Sequence, residues 1–270
     1  MSKVQDAIKK LRKEEEKPAK VSEPKSSDAP STAAKNRGTE IGKVEQNRII
    51  TPTRSQLARG PSRQLDQTNL VNHGLLDPSF SRNSLTVNHR EMHRRIMADA
   101  FCRSNSSVQG NNLVTFCTTS SGQGATFVAL NFSLSSIRNS DVGIVLIDSN
   151  PRNPKLSQMF EAESELGLAD LIVQPDLDVA RVAISFDVPG FFFIPIGHNA
   201  AKIISTSYKA EIDKLLNKLS SEGREYLFLF DSGPVSEDGA STLIVRHTGQ
   251  CIFVMKDSET SEKAFAAAIK

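Results

Sequence analysis

Short apolar runs alternate with helix-sized segments from about residue 113 onwards. Each run is five or six residues long and almost continuously apolar, which is typical of parallel strands covered on both faces. The five runs are Leu113–Cys117, Gly143–Ile147, Phe191–Ile196, Tyr226–Phe230 and Cys251–Met255. Strands that alternate with helices through short loops predict an α/β fold with a doubly wound, mostly parallel sheet and helices on both faces.

Three segments between and before these runs predict helices. One extends from about Ser84 to Phe101, and a second, Phe127 to Ile137, follows the first strand directly. The third, Tyr208 to Leu219, repeats its apolar residues on a single face. Ligands of such folds bind at the carboxyl ends of the strands, so the loops that follow the strands carry the candidate chemistry.

The first 69 residues have a different composition. Within residues 1–16, apolar positions recur at i, i+3, i+4 and i+7, which predicts a short amphipathic helix that is marginal unless it docks on a partner. Residues 17–69 are rich in Ser, Thr, Pro, Lys and Gln and favour a flexible, disordered linker. The folded domain is therefore predicted to span residues 70–270.

Charge and cysteine content narrow the class of protein. Residues 1–70 carry 15 Lys and Arg against 9 Asp and Glu, but the basic residues are scattered among acidic ones, so no nucleic-acid partner is predicted. Cys102, Cys117 and Cys251 show no CxxC pairing, and the last two are predicted to be small core residues. No apolar run has the length of a membrane span or a signal-peptide core, so we expect a cytoplasmic protein.

A glycine-containing loop joins the first strand to the next helix. Unpaired backbone N–H groups and the helix dipole make such a helix start suitable for phosphate, and glycines let the backbone approach it closely. The candidate nucleotide contacts in this loop are Gly122, Gln123, Gly124, Ala125, Thr126 and Phe127. In a working P-loop, a lysine before the Ser/Thr reaches the β- and γ-phosphates, whereas position 125 is alanine. Losing such a charge-assisted hydrogen bond, worth roughly 1.5–3 kcal/mol, should weaken nucleotide binding about 10- to 100-fold.

Two aspartates follow strands and are expected to face this loop. Asp148 ends the second strand and Asp231 the fourth. With Thr126 they are candidate magnesium ligands, and in an active enzyme both would be catalytic, since a carboxylate there holds the metal or accepts a proton from an attacking hydroxyl. The alternative is that each aspartate only caps a turn or helix. The loop and both carboxylates together favour a nucleotide site.

Five short motifs in the same order resemble the bacterial tyrosine autokinases of polysaccharide export, nearest to their exosortase-associated branch. The resemblance covers about residues 70–270 and implies a P-loop fold, ATP or ADP with Mg²⁺ as ligands, and a role in exopolysaccharide biosynthesis. The motifs are Thr118–Thr126, Val145–Asp148, Gly167–Leu171, Ile194–Gly197 and Leu229–Pro234.

Four departures from the family motifs fall at the active site. The loop of the family ends Gly-Glu-Gly-Lys-Thr, where this chain has Gln123 and Ala125. Asn150 replaces the second aspartate of the motif Asp-x-Asp-x-Arg-x-Pro, and Gly233 replaces the first proline of Asp-Ser-Pro-Pro. Arg152 matches the arginine of the second motif and is a candidate nucleotide contact. The motifs are therefore degenerate.

Features of substrate and assembly are also sparse. Family members phosphorylate tyrosines in a C-terminal tail, but the only tyrosines here are Tyr208 and Tyr226, so tail autophosphorylation is not expected. In the family's ring-forming helix, a glutamate precedes spaced basic residues. The predicted helix at 84–101 has the basic residues without that glutamate, so the sequence neither predicts nor excludes a homo-oligomer. These basic residues are predicted to form a solvated helix face.

Three functions follow from the sequence. The first is a kinase-like pseudokinase with weak or no phosphoryl transfer, which regulates exopolysaccharide export through a membrane-embedded chain-length (co-polymerase) protein or an active kinase paralogue. Such a partner would bring the cytoplasmic chain to the membrane. The second is an active ATP-binding tyrosine kinase or ATPase in which Arg152 or Arg138 compensates for Ala125. A partitioning-type ATPase is disfavoured, because Thr118–Ser121 contain no additional lysine.

Overall fold

The computed structural model describes residue 57 and residues 59–76, 87–101, 110–138, 141–204, 208–222, 225–235, 240–256 and 265–266. All of these belong to one compact unit, Pro52–Lys270. The helix predicted within residues 1–16 and most of the predicted linker lie outside the described residues.

A seven-stranded sheet with the order β1-β4-β5-β3-β6-β2-β7 forms the centre of this unit. All neighbouring strands are parallel except β4 and β5, which are antiparallel. The strands are β1 Ser62–Arg63, β2 Leu113–Thr118, β3 Gly143–Asp148, β4 Ile184–Phe186, β5 Phe191–Ile194, β6 Tyr226–Pro234 and β7 Gln250–Phe253. The predicted doubly wound, mostly parallel sheet is confirmed.

Helices cover both faces of the sheet, as two separate apolar clusters show. Alternate residues of one strand enter different clusters: Val145 and Ile147 pack on one face, and Ile144 and Leu146 on the other. The helices are α1 Gln67–Asn72, α2 Val87–Phe101, α3 Ala125–Ile137, α4 Lys155–Met159, α5 Leu168–Val173, α6 Val179–Val182, α7 Ala200–Ile203, α8 Lys209–Glu222 and α9 Ala240–His247. In the described part of the chain, no helix is long and apolar enough to cross a membrane.

All five predicted strands and all three predicted helices of the domain are present, with shifted ends. Strand β5 ends at Ile194 rather than at the predicted Ile196, and β6 continues past its predicted end to Pro234. Helix α3 begins at Ala125, two residues before the predicted start, so the glycine loop leads directly into it.

Residues 57 and 59–69, which the sequence assigns to a linker, contribute to the folded unit. Strand β1 pairs with β4, and Leu57 and Leu65 are buried. Arg63 forms an ion pair with Glu165 at 2.6 Å. A two-residue strand is too short for a periodic pattern, and two leucines within a polar segment give little compositional signal. Strand β4 was not predicted either, because it has only three residues.

Two of the five motifs form a structural clasp around Asp170, which is 1% exposed. Its carboxylate accepts hydrogen bonds from the backbone N–H groups of Gly167 and His198, at 2.9 and 3.0 Å, and from the Asn199 amide at 2.7 Å. Gly197 has a φ of 87°, a conformation that glycine adopts without strain. The clasp fixes the start of α5 against the segment that follows β5.

Replacing Asp170 with alanine should destabilise the fold by on the order of 2–4 kcal/mol, because the buried N–H of Gly167 and two partly buried donors lose their acceptor. Chemical denaturation of the purified protein measures this loss. A matched control is Asp178→Ala, which removes only a partly exposed N-cap bond to Ala180 and should cost about 1 kcal/mol. Equal losses for the two variants would contradict the assignment of the clasp.

Candidate functional site

The glycine loop connects Thr118 at the end of β2 to Ala125 at the start of α3. Gly122 and Gly124 have φ values of 81° and 96°, a left-handed conformation that side chains other than glycine rarely adopt. A Cβ at either position would meet no heavy atom of the described residues within 4 Å. The glycines are therefore needed for backbone conformation, and the loop faces open space.

The start of α3 presents backbone N–H groups toward this space. The first helical hydrogen bond runs from the N–H of Val128 to the carbonyl of Gly124 at 3.0 Å, and Gly124 has no side chain with which to cap the helix. The N–H groups of residues 125–127 precede that bond and are the donors that a helix cannot satisfy internally. With the dipole of a 13-residue helix behind them, they form a suitable seat for a phosphate.

Gln123 fixes the beginning of the loop. Its side chain is 7% exposed, and Oε1 accepts hydrogen bonds from the N–H and hydroxyl of Thr119, at 3.0 and 3.1 Å, and from the N–H of Ser120 at 3.3 Å. Gln123 was predicted to contact nucleotide, but its side-chain oxygen bonds to residues of the loop instead. Donors at residues 119 and 120 are occupied, whereas those at the start of α3 face outward.

Asp148 is fully buried at the end of β3. One carboxylate oxygen accepts from the N–H and hydroxyl of Ser157 at 2.9 and 2.8 Å, and the other from the N–H of Asn150 at 3.2 Å. Burial raises the pKa of Asp148 to about 6, although the bonds from Ser157 oppose the shift. Ser157 also accepts from the N–H of Ile196 at 2.9 Å. Sequence reasoning missed this serine, because a single serine in a short helix has no distinctive pattern.

Asp231 lies directly beside Asp148, since the two residues are register partners on β6 and β3. It is 3% exposed. Burial, and then the charge of Asp148, raise the pKa of Asp231 well above its usual range, while a hydrogen bond with the Thr126 side chain and the charge of Lys155 lower it. The structure therefore brings together the three predicted metal ligands, Thr126, Asp148 and Asp231.

This donor set fits a magnesium ion. Within the described part of the chain, Oδ1 of Asp231 is buried and has no hydrogen-bond partner, which is costly for a carboxylate unless a cation binds it. Two carboxylates and a hydroxyl are hard oxygen ligands of the kind that Mg²⁺ prefers, with water or phosphate oxygens completing the shell. The described residues contain no group of three or more His, Cys, Asp or Glu that would form a complete protein cage.

The positive charges around the loop differ from those expected. Position 125 is a buried alanine and supplies no cation. Arg152 is exposed in the loop after β3. Arg138 caps the far end of α3, about 20 Å from the loop at 1.5 Å per residue, so its proposed compensating role is wrong. Lys155, which sequence reasoning missed, supplies a positive charge that lowers the pKa of Asp231.

Two of the departures from the family motifs contact each other. A Cβ built on Gly233 would lie 2.8–2.9 Å from three atoms of the Asn150 side chain. Real Cβ atoms are not found that close to other heavy atoms, so a larger residue at 233 requires Asn150 to move. The neutral amide of Asn150 therefore packs on the backbone of Gly233, next to Asp231.

No protein-family model matches the chain, and no curated protein matches it either. Solved structures do match. The BceF tyrosine kinase domain is 20% identical, with a TM-score of 0.55 over 78% of this chain and 85% of that one. The kinase domain of the Escherichia coli tyrosine kinase ETK is 18% identical, with a TM-score of 0.53 over 67% of each chain. The chimerical protein CapA2B2 is 17% identical, with a TM-score of 0.50 over 77% of this chain and 85% of that one.

Identities this low establish the fold alone. A mostly parallel sheet and a glycine loop between a strand and a helix are features of P-loop folds, and this chain has both. The chain therefore has a P-loop fold of the kind found in bacterial tyrosine-kinase domains.

Proposed function

We propose that this chain is a degenerate kinase-like P-loop protein that binds ATP or ADP with Mg²⁺ weakly and transfers phosphate poorly or not at all. In this proposal it acts as a regulator or partner in exopolysaccharide biosynthesis. The observation that carries the proposal is the alanine at position 125, where a P-loop enzyme needs its lysine. The resemblance of the five motifs and the likeness to bacterial tyrosine-kinase domains support the biological setting.

The two halves of a nucleotide site are unequal here. The magnesium half keeps Thr126, Asp148 and Asp231 in mutual contact or register. The phosphate half keeps its backbone seat but has a methyl group at position 125. Since a preorganised cation stabilises the charge that develops during transfer, its loss should lower the rate of transfer more than the binding of nucleotide.

With magnesium bound, the metal would supply charge neutralisation at the phosphates. Thr126, Asp148 and Asp231 would hold it, and the hydrogen bonds that Asp148 accepts from Ser157 and Asn150 would fix the orientation of its carboxylate. The N–H groups at the start of α3 would bind the phosphate oxygens. These residues position a nucleotide, but the chain lacks at residue 125 the side chain that reaches the phosphate to be transferred.

The tyrosines of the chain are also poor acceptors. Tyr226 is 3% exposed and its hydroxyl oxygen is buried, so the hydroxyl cannot meet a nucleotide in the folded state. Tyr208 packs against one of the apolar clusters. A binding role toward another protein therefore fits this chain better than phosphorylation of itself.

Two partners are consistent with the resemblance: a membrane-embedded chain-length (co-polymerase) protein and an active kinase paralogue. A homo-oligomer through α2 is a further arrangement. On this helix Arg94 and Arg95 bind Glu91 at 2.9 and 2.7 Å, and both bonds lower the pKa of Glu91 to about 2. The two arginine side chains are largely exposed and that of Glu91 is partly exposed, as expected of a solvated helix face.

Phosphoryl transfer from labelled ATP to a tyrosine-containing polymer tests the proposal, with an intact bacterial tyrosine-kinase domain as the positive control. We expect no transfer above that of an Asp148→Ala, Asp231→Ala double variant. A rate like that of the intact domain would refute the proposal. Added to the active paralogue, the chain should change the paralogue's rate or its binding to the co-polymerase.

A second candidate is an active ATPase or kinase in which another cation replaces the lysine. The charge of Lys155, which acts on Asp231, favours this candidate over one that relies on Arg138. The same assay separates the two, because the second candidate requires measurable turnover that Lys155→Ala removes. Lys218→Ala is its matched control, since Lys218 lies beside Tyr226 at the start of β6, whereas Asp231 lies near the end of that strand.

A further inference from the structure

Two cysteines that are distant in sequence meet at the edge of the sheet. Sγ of Cys117 on β2 lies 3.3 Å from Sγ of Cys251 on β7. Thr115 is the register partner of Cys251, and Cys117 is the partner of Phe253, so the two cysteines are diagonal neighbours on one face of the sheet. They are 134 residues apart along the chain, and no spacing pattern in the sequence identifies them as a pair.

The two thiols differ in their access to solvent. Cys117 is fully buried, whereas Cys251 is exposed, so the prediction that both are core residues is wrong for Cys251. The reason is that β7 is the last strand in the order and lies at the edge of the sheet. An exposed thiol in contact with a buried one is the arrangement of an attacking cysteine beside a resolving cysteine.

The environment of the pair makes the exposed thiol the more reactive one. The pKa of Cys117 is raised by its hydrogen bond with Cys251 and by burial of its thiol. The hydrogen bond from Cys117 lowers the pKa of Cys251. Cys251 thus yields the larger fraction of thiolate, which is the form that attacks a disulfide.

We propose that Cys117 and Cys251 form a dithiol site that reacts with low-molecular-weight disulfides and closes to a reversible bond between β2 and β7. This inference does not depend on the proposed nucleotide function. To reach the ~2.05 Å of a disulfide bond, the sulfurs must approach by about 1.2 Å from their present 3.3 Å. Because the cysteines are diagonal, β7 must also shift slightly. A strand that pairs with β2 alone among the described strands can do so.

The exchange proceeds in two balanced steps. The Cys251 thiol loses its proton to water, and the resulting thiolate attacks one sulfur of the small disulfide. The other sulfur leaves as a thiolate, which takes up a proton. The Cys117 thiol then loses its proton and attacks Sγ of Cys251, and the second small thiol leaves. Two protein thiols and one small disulfide become one protein disulfide and two small thiols.

Treatment of the full chain with oxidised glutathione tests this site, in a Cys102→Ser background so that only the pair can react. We expect a final mass two hydrogens lower than that of the reduced protein, with no retained adduct, and recovery of both thiols with dithiothreitol. The Cys117→Ser and Cys117→Ala variants should instead accumulate glutathione on Cys251, because the resolving thiol is absent. Cys251→Ser should lose thiol at least about tenfold more slowly, since Cys117 is buried.

Three outcomes would overturn the proposal. These are an adduct that persists on Cys251 when Cys117 is present, reaction of Cys117 in the Cys251→Ser variant at the parental rate, and no loss of thiol in the parental chain. Thermal unfolding of each variant before oxidation identifies any that is not folded. Cys251→Ser, at an exposed position, is expected to retain the parental stability.

Discussion

Replacing Ala125 with lysine should tighten the binding of ATP with Mg²⁺ by about 10- to 100-fold. The new ammonium would stand one residue before Thr126, at the start of α3, where a P-loop lysine reaches the β- and γ-phosphates. A charge-assisted hydrogen bond of roughly 1.5–3 kcal/mol corresponds to that change in affinity. Calorimetric titration of both proteins with ATP and Mg²⁺ measures it.

The matched control is Ala125→Gln, which adds a long polar side chain without charge. If affinity rises because of the positive charge, glutamine should leave it close to the parental value. The gain with lysine should also shrink at high salt, as electrostatic contacts are screened. Equal tightening by lysine and glutamine, or none by either, would contradict the assignment of residue 125 as the missing cation.

Replacing Asp231 with asparagine should stabilise the protein at neutral pH and remove its response to Mg²⁺. Burial and the charge of Asp148 oppose ionisation of Asp231, so the ionised carboxylate costs stability that a neutral amide does not. A gain on the order of 1–3 kcal/mol is expected, which is the usual cost of a buried polar group without a partner. Thermal unfolding with and without Mg²⁺ measures both effects.

The pH dependence of this gain has a definite sign. A carboxyl group with a raised pKa in the folded state keeps its proton where the unfolded chain has released it, so stability falls as pH rises through that window. For Asp148 the window extends from its ordinary 3.8 to about 6. For Asp231 it begins at the same ordinary value and extends well above it.

The advantage of Asp231→Asn should therefore be small near pH 4 and large above pH 6. Asp176→Asn is the control, because Asp176 is exposed and should change stability little at any pH. Mg²⁺ should raise the unfolding temperature of the parental protein and of Asp176→Asn, but not that of Asp231→Asn. A loss of stability in Asp231→Asn at neutral pH would contradict an unneutralised carboxylate at this position.

Much of the fold could be predicted because its central strands are buried on both faces. The run Gly143–Ile147 is apolar throughout, and the structure explains why: alternate residues enter different cores. Where the strands are very short, the pattern fails. Strands β1 and β4 are two and three residues long, and their pairing depends on contacts with distant segments that a local pattern does not contain.

The candidate site shows the same division. Thr126, Asp148 and Asp231 were predicted to converge because the ends of parallel strands share one edge of the sheet, and they do. Ser157 and Lys155 were not predicted, since their contribution depends on how the chain returns after β3. The cysteine pair was missed for a similar reason: adjacency of β2 and β7 follows from strand order, not from sequence spacing.

Calorimetric titration of the unmodified chain with ADP and ATP, with and without Mg²⁺, is the most direct test of a P-loop site that holds nucleotide without its lysine. We expect binding that requires Mg²⁺, that is about 10- to 100-fold weaker than in Ala125→Lys, and that is lost in Asp231→Asn. Absence of heat for both nucleotides in the unmodified chain, or binding indifferent to Asp231→Asn, would contradict it.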